Sequence, residues 1–183
     1  YFIYIGGNDS MDTILKLTSY AISIKSDIRF MGVPKTIDND LAETDHTPGY
    51  GSAAKFVAST VKEIIRDSNV YDMDSVTIVE IMGRNAGWLT GAAALSACED
   101  CDGPDLIYLP EKVFDTDTFL KRVEDLRREK KTVVVAVSEG IRNKSGEYVC
   151  SESIAKAPSD AFGHKILAGT AACLSDLVGH ELG

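Results

Sequence analysis

Two stretches, Val76–Met82 and Thr132–Val137 (TVVVAV), are short and almost unbroken runs of apolar and β-branched residues. Runs of this length fit strands covered on both faces. On either side, apolar residues recur every three or four positions, as in amphipathic helices. Strands buried on both faces and separated by helices define a parallel α/β sheet.

The alternation extends along the chain. Tyr1 to Ile5 predicts a strand that stops at Gly6 and Gly7. Met11, Ile14, Leu17, Ala21 and Ile24 then mark a helix with Ser10 at its N-cap. Ile28 to Val33 predicts a second strand, ended by Pro34. A polar loop spans residues 34–50, and a helix begins near Ser52 with Ala54, Val57, Val61, Ile64 and Ile65 on one face. This loop and helix mark the crossing between two α/β lobes. Farther on, the pattern predicts an Ala-rich helix over Asn85–Ala97, a strand over Leu106–Leu109 and a helix carrying Phe119, Leu120, Val123 and Leu126. A hairpin tip is expected at Lys144–Glu147, and a last helix carrying Phe162, Ile166, Leu167, Leu174 and Val178. Because Tyr1 opens directly into a core-type strand, the chain is expected to be part of a longer protein.

Composition narrows the function. Hydrophobic residues make up 44% and charged residues 26% of the 183, as in a globular domain. Lysine and arginine total 19 against 28 acids, a net charge of −9. Nucleic-acid binding needs cationic surface, so no nucleic-acid partner is expected. No apolar run reaches the roughly 20 residues of a membrane span, and no membrane partner is expected. Cys98, Cys101, Cys150 and Cys173 include one C-x-x-C pair, with no second pair or histidine at zinc-ligand spacing. The cysteines are expected to be reduced thiols in a cytoplasmic protein.

Ligands of parallel α/β sheets bind beyond the carboxyl ends of the strands. The segments there are Gly6-Gly7-Asn8-Asp9-Ser10, Pro34-Lys35-Thr36-Ile37-Asp38-Asn39-Asp40, Met82-Gly83-Arg84 and Ser138-Glu139-Gly140. The first runs from a strand through a glycine pair into a helix start, a geometry suited to phosphate. In the second, Asp38 and Asp40 offer one carboxylate to take a proton from an attacking hydroxyl and another to hold a metal, as phosphoryl transfer requires. Arg84 supplies a guanidinium for an anionic substrate, and Glu139 an acceptor for sugar hydroxyls.

The runs GGNDS (Gly6 to Ser10), PKTIDND (Pro34 to Asp40), MGRNAG (Met82 to Gly87) and SEG (Ser138 to Gly140) together resemble the phosphofructokinase family. The likeness continues through Ser159-Asp160-Ala161-Phe162-Gly163-His164. It implies a Rossmann-like α/β fold in two lobes, of which this chain is a fragment. Residues 1–50 would end the phosphoryl-donor lobe, and 51–183 would form most of the sugar-phosphate lobe. It further implies a cytoplasmic homo-oligomer that uses Mg²⁺ and acts on fructose 6-phosphate.

The same resemblance distributes roles. Asp38 matches the general base at the C1 hydroxyl of fructose 6-phosphate, with Thr36, Ile37 and Asp40 beside it. Met82, Gly83 and Arg84 match the sugar-phosphate contact, Arg84 also lying near the transferring phosphoryl group, and Glu139 matches a sugar-hydroxyl contact. Gly6, Gly7, Asn8, Asp9 and Ser10 match the donor loop. The ATP-using pattern reads GGDGS and PGTIDND, where this chain has Asn8, Asp9 and Lys35. An acid at the Asp9 position and a lysine at the Lys35 position resemble the pyrophosphate-using branch. Asp9 and Lys35 therefore join Asp38 and Arg84 in the catalytic set, with pyrophosphate the expected donor and ATP the alternative. Asn8 stands where the family usually has a magnesium-binding aspartate, so the expected metal set is Asn8, Asp9 and Asp40. A non-catalytic sugar-phosphate-binding subunit is a further alternative, opposed by the intact Asp38, Asp40 and Arg84. A Rossmann oxidoreductase would need G-x-G-x-x-G after a strand, which is absent.

Overall fold

The computed structural model describes residues 1–149 and 169–183. It divides into two compact units, Tyr1–Gly51 and Ser52–Gly183. The Ser159–His164 motif and the Phe162, Ile166 and Leu167 positions of the expected last helix lie outside the described residues.

In the first unit, β1 (Phe2–Gly6) leads into α1 (Asn8–Ser23) and then β2 (Phe30–Pro34). The strands pair in parallel, with Phe2 opposite Phe30 and Gly6 opposite Pro34. Helix α1 buries Ile14 and Ala21. Ser10 is not its N-cap. The helix starts at Asn8 with Gly7, in an extended conformation, in the capping position, and the Ser10 side chain instead packs over Gly6, where a Cβ would meet its Oγ at 2.1 Å. On one sheet face, Ile3, Ile5, Met31 and Val33 remain 41–66% exposed, so these strands are not covered on both sides.

Helix α2 (Tyr50–Ser68) begins at the boundary, and the second unit continues as β3 (Ser75–Ile81), α3 (Trp88–Ala92), β4 (Leu106–Tyr108), α4 (Thr116–Glu129), β5 (Thr132–Ser138) and α5 (Thr170–Leu182). Its sheet is parallel with strand order β3-β5-β4. Only β5, the central strand, is buried at every residue. β3 is at a sheet edge among the described residues, and its first six residues are half-buried, which corrects the expectation of burial on both faces. The Ala-rich helix is also shorter than predicted, starting at Trp88 rather than Asn85 and tightening into a 3₁₀ turn over Ala93–Ser96.

The core of this unit joins Val133, Val135 and Val137 of β5 to Phe119 and Val123 of α4 and Leu174 and Val178 of α5. Tyr108, Phe114 and Phe119 stack edge-on or tilted with ring centroids 5.0–5.7 Å apart. Asp115 caps α4 by accepting the Thr118 N–H at 2.9 Å. A Lys144 ion pair, together with this bond and one from the Thr118 hydroxyl at 2.7 Å, holds the Asp115 carboxyl well below the usual carboxylate range. The Glu80 side chain of β3 accepts the Ala171 N–H at 2.8 Å, tying the amino end of α5 to the sheet.

Cys98 and Cys101 are free and exchange backbone hydrogen bonds of 2.8 and 3.1 Å across a tight turn. Cys173, however, is disulfide-bonded, so the expectation of four reduced thiols does not hold. Among the described residues, no helix is long and apolar enough to cross a membrane.

Phe119 is fully buried in the aromatic cluster. Phe119→Ala should destabilise this unit by about 3–5 kcal/mol, through lost transfer energy and a residual cavity, measurable as a shift in urea midpoint at unchanged slope.

Candidate active site

Register places the sequence-predicted segments. Gly6 lies opposite Pro34 at the carboxyl ends of β1 and β2, and the Lys35 N–H extends the pairing to the Gly6 carbonyl at 3.0 Å. The structure therefore brings Gly6–Ser10 and Lys35–Asp40 to one sheet end. Asn8 and Asp9 occupy the first turn of α1, with Asp9 half-buried. This is where unsatisfied backbone N–H groups and the helix dipole favour negative charge.

The Lys35–Asp40 loop is built from inside. The Thr36 hydroxyl accepts the Asp38 N–H at 3.1 Å, forming a local turn. Asp38 is half-buried with its Oδ1 shielded from solvent, whereas Lys35, Ile37 and Asp40 are exposed. Asn39, unassigned in the sequence, is the loop's anchor. It is buried and adopts φ +59°, a left-handed conformation that asparagine tolerates. Its Oδ1 accepts the Thr47 N–H at 2.9 Å and the Thr47 hydroxyl at 3.1 Å, while its Nδ2 donates to the Asp45 carbonyl at 3.2 Å. Turning one side chain inward between Asp38 and Asp40 fixes the backbone that carries both carboxylates.

In the second unit, Ile81 lies opposite Ser138, so Met82–Arg84 and Glu139–Gly140 leave the sheet together. Glu139 Oε1 accepts the Gly83 N–H at 3.1 Å. Glu139 thus holds the Arg84 loop in addition to any contact with a ligand. Gly83 has φ +134°, and a Cβ there would meet the Ala86 carbonyl oxygen at 2.5 Å. A Cβ on Gly140 would lie 2.0 Å from the Arg84 carbonyl oxygen, so the two loops pack backbone to backbone. Glu111, also missed in the sequence, accepts the Gly87 N–H at 2.7 Å where α3 begins. Met82 is exposed and Arg84 half-buried. No hydrogen bond or ion pair engages the side chains of Lys35, Asp40 or Arg84 among the described residues.

A cavity of about 370 Å³ lies elsewhere, lined by residues such as Asn69, Asp72, Lys130, Lys131 and Thr132 at the amino end of β5. Beside it, hydrogen bonds from Cys98, Arg66 and Lys62 hold the Asp100 carboxyl well below its ordinary range. Those charges are satisfied by one another, in contrast to the unengaged cations at the strands' carboxyl ends.

Two parallel sheets, each with charged loops at its carboxyl end, define an α/β protein of the kind whose ligands bind beyond the carboxyl ends of the strands. A phosphofructokinase family profile matches residues 1–183, and the chain belongs to the phosphofructokinase family. It is 45% identical over 178 residues to a pyrophosphate–fructose 6-phosphate 1-phosphotransferase of Rhodospirillum rubrum, covering 97% of this chain and 43% of that protein. A protein of the same name from Xanthomonas campestris pv. campestris is 44% identical over 185 residues, covering 100% of this chain and 44% of its own length. The crystal structure of a pyrophosphate-dependent phosphofructokinase from Marinobacter aquaeolei superposes with a TM-score of 0.73 at 34% identity, covering 100% of this chain and 42% of that one. The chain thus spans less than half the length of these relatives.

Asn39→Ala removes all three loop-anchoring bonds. It should cost about 2 kcal/mol or more, the scale of stranding buried polar partners, and accelerate amide exchange at Thr47.

Proposed function

We propose that the complete polypeptide carrying this chain transfers a phosphoryl group from pyrophosphate to the C1 hydroxyl of fructose 6-phosphate, giving fructose 1,6-bisphosphate. The observation that carries the donor assignment is the placement of Asp9, in the first turn of α1, and Lys35, in the loop after β2, at the same end of the β1–β2 sheet. The names of the similar proteins from R. rubrum and X. campestris support the same reading. In it, residues 1–50 belong to the donor lobe and 51–183 to most of the sugar-phosphate lobe.

Asp38 acts as general base, accepting the C1 hydroxyl proton as the oxygen attacks the phosphoryl group. Thr36 shapes its turn. Arg84, a half-buried cation without a described partner in a protein of net charge −9, meets phosphate charge. Met82 and Gly83 line that contact, and Glu139 accepts sugar hydroxyls. Gly6, Gly7 and Ser10 let backbone N–H groups approach the donor.

Asp9 restricts the donor. A carboxylate in the first turn of α1 competes for the donors an α-phosphate would use and repels that phosphate. Pyrophosphate has no third phosphate to exclude. Lys35, near Asp38 in sequence, supplies positive charge where it is needed as the phosphoryl group moves.

Mg²⁺ fits the donor set. Asn8, Asp9 and Asp40 offer only hard oxygen atoms. Because the described residues contain no group of three His, Cys, Asp or Glu able to hold an ion, the substrate's phosphates would supply the remaining ligands. Asp40 and either Asp9 or the Asn8 carbonyl would hold it, and bound there it offsets phosphate charge.

Steady-state kinetics of the complete polypeptide test the base and the donor filter separately. Asp38→Ser should lower kcat by roughly 10²–10⁴ with the KM for fructose 6-phosphate nearly unchanged, and a near-normal kcat removes Asp38 from this role. Asp9→Gly should admit ATP, whereas Lys35→Gly should chiefly lower kcat with pyrophosphate. An Asp9→Gly enzyme that still rejects ATP would show that the carboxylate does not select the donor.

A further inference from the structure

Ser138 ends β5 opposite Ile81 and is completely buried. Its hydroxyl has partners on two segments, donating to the Gly83 carbonyl at 2.6 Å and accepting the Gly140 N–H at 3.0 Å. A serine hydroxyl carries one proton and two lone pairs. Once the proton is committed to Gly83, a lone pair is left for the Gly140 amide, so one oxygen sets the distance between the two loops. The surroundings use that distance fully. Gly140 abuts the Arg84 carbonyl so closely that a Cβ would not fit, and Glu139 Oε1 holds the Gly83 N–H. Gly83 is therefore gripped at both its amide and its carbonyl from the end of β5, one residue before Arg84.

From this geometry we infer that Ser138 is a positioning residue for Arg84, acting through the Gly83 carbonyl and not by touching substrate. The inference rests on the reading above in which Arg84 meets phosphate. Ser138→Ala is nearly isosteric but takes a hydrogen-bond partner from two buried backbone groups. The Arg84 backbone then loses one of its restraints, and the guanidinium at the end of a long side chain loses its aim. Ser138→Thr retains the hydroxyl and suits a strand end.

The test is a double-mutant cycle in the complete polypeptide, with Ser138→Ala, Arg84→Ala and both together, alongside Ser138→Thr. Ser138→Ala alone should lower kcat/KM for fructose 6-phosphate on the order of 10- to 100-fold, the span of one buried hydrogen bond lost with its partners stranded. In the Arg84→Ala background it should cost under about threefold, because residues that act through one another are not additive. Ser138→Thr should stay near wild type. Equal losses in both backgrounds, or no loss, would overturn the inference. Amide exchange decides independently of any activity. Ser138→Ala should speed exchange over residues 83–87 and leave α4 unchanged, and unaltered exchange there rejects the positioning role even if the polypeptide acts on another substrate.

Discussion

Parallel pairing in a fixed register is the constraint on which everything else in the molecule depends. Gly6 opposite Pro34 and Ile81 opposite Ser138 mean that within each unit the two strands end together. Parallel strands all release their chains at the same end, and a one-residue slip would turn every side chain to the other face. In the second unit the register is held by β5, whose seven residues are all buried between helices docked on the sheet. A buried valine run thus controls where Glu139 and Arg84 emerge, though it touches neither ligand nor solvent.

The loops beyond the strands are held by side chains turned inward. Asn39 anchors the segment bearing Asp38 and Asp40, and Ser138 with Glu139 anchors the segment bearing Arg84. Outward-facing charges on the same segments, Lys35, Asp40 and Arg84, are left unengaged by the described residues. Elsewhere, several cations of this acidic chain are matched to acids, as Lys144 is to Asp115 and Arg66 to Asp100. Charges held in place but not neutralised cost stability and are suited to meeting a ligand's charge.

The alternation of strands and helices was legible because TVVVAV and the i, i+3, i+4 spacing reflect burial directly. So were the ends of β1, β2, β3 and β5, where the charged motifs stand. The start of α3 was not, because alanine-rich composition favours helix from Asn85, yet Gly83 and Gly87 are held by Glu139 and Glu111 and helix begins only at Trp88. Tertiary contacts override propensity there. Ser10 looked like a cap because nothing local reveals that Gly7 already begins the turn. The roles of Asn39 and Ser138 depend on partners eight and fifty-five residues away, which pattern alone does not identify. The half-burial of β3 is not legible either, because an apolar run does not distinguish a central strand from an edge strand.

The proposed phosphoryl donor is pyrophosphate and the proposed acceptor fructose 6-phosphate. Phosphorus NMR of the complete polypeptide with Mg²⁺, pyrophosphate and fructose 6-phosphate, in the absence of any nucleotide, observes donor and products in one spectrum. The account predicts that the pyrophosphate resonance declines as inorganic phosphate and the C1 phosphate of fructose 1,6-bisphosphate grow in equal amounts. A spectrum that stays unchanged until ATP is added, and then yields the bisphosphate, would contradict it.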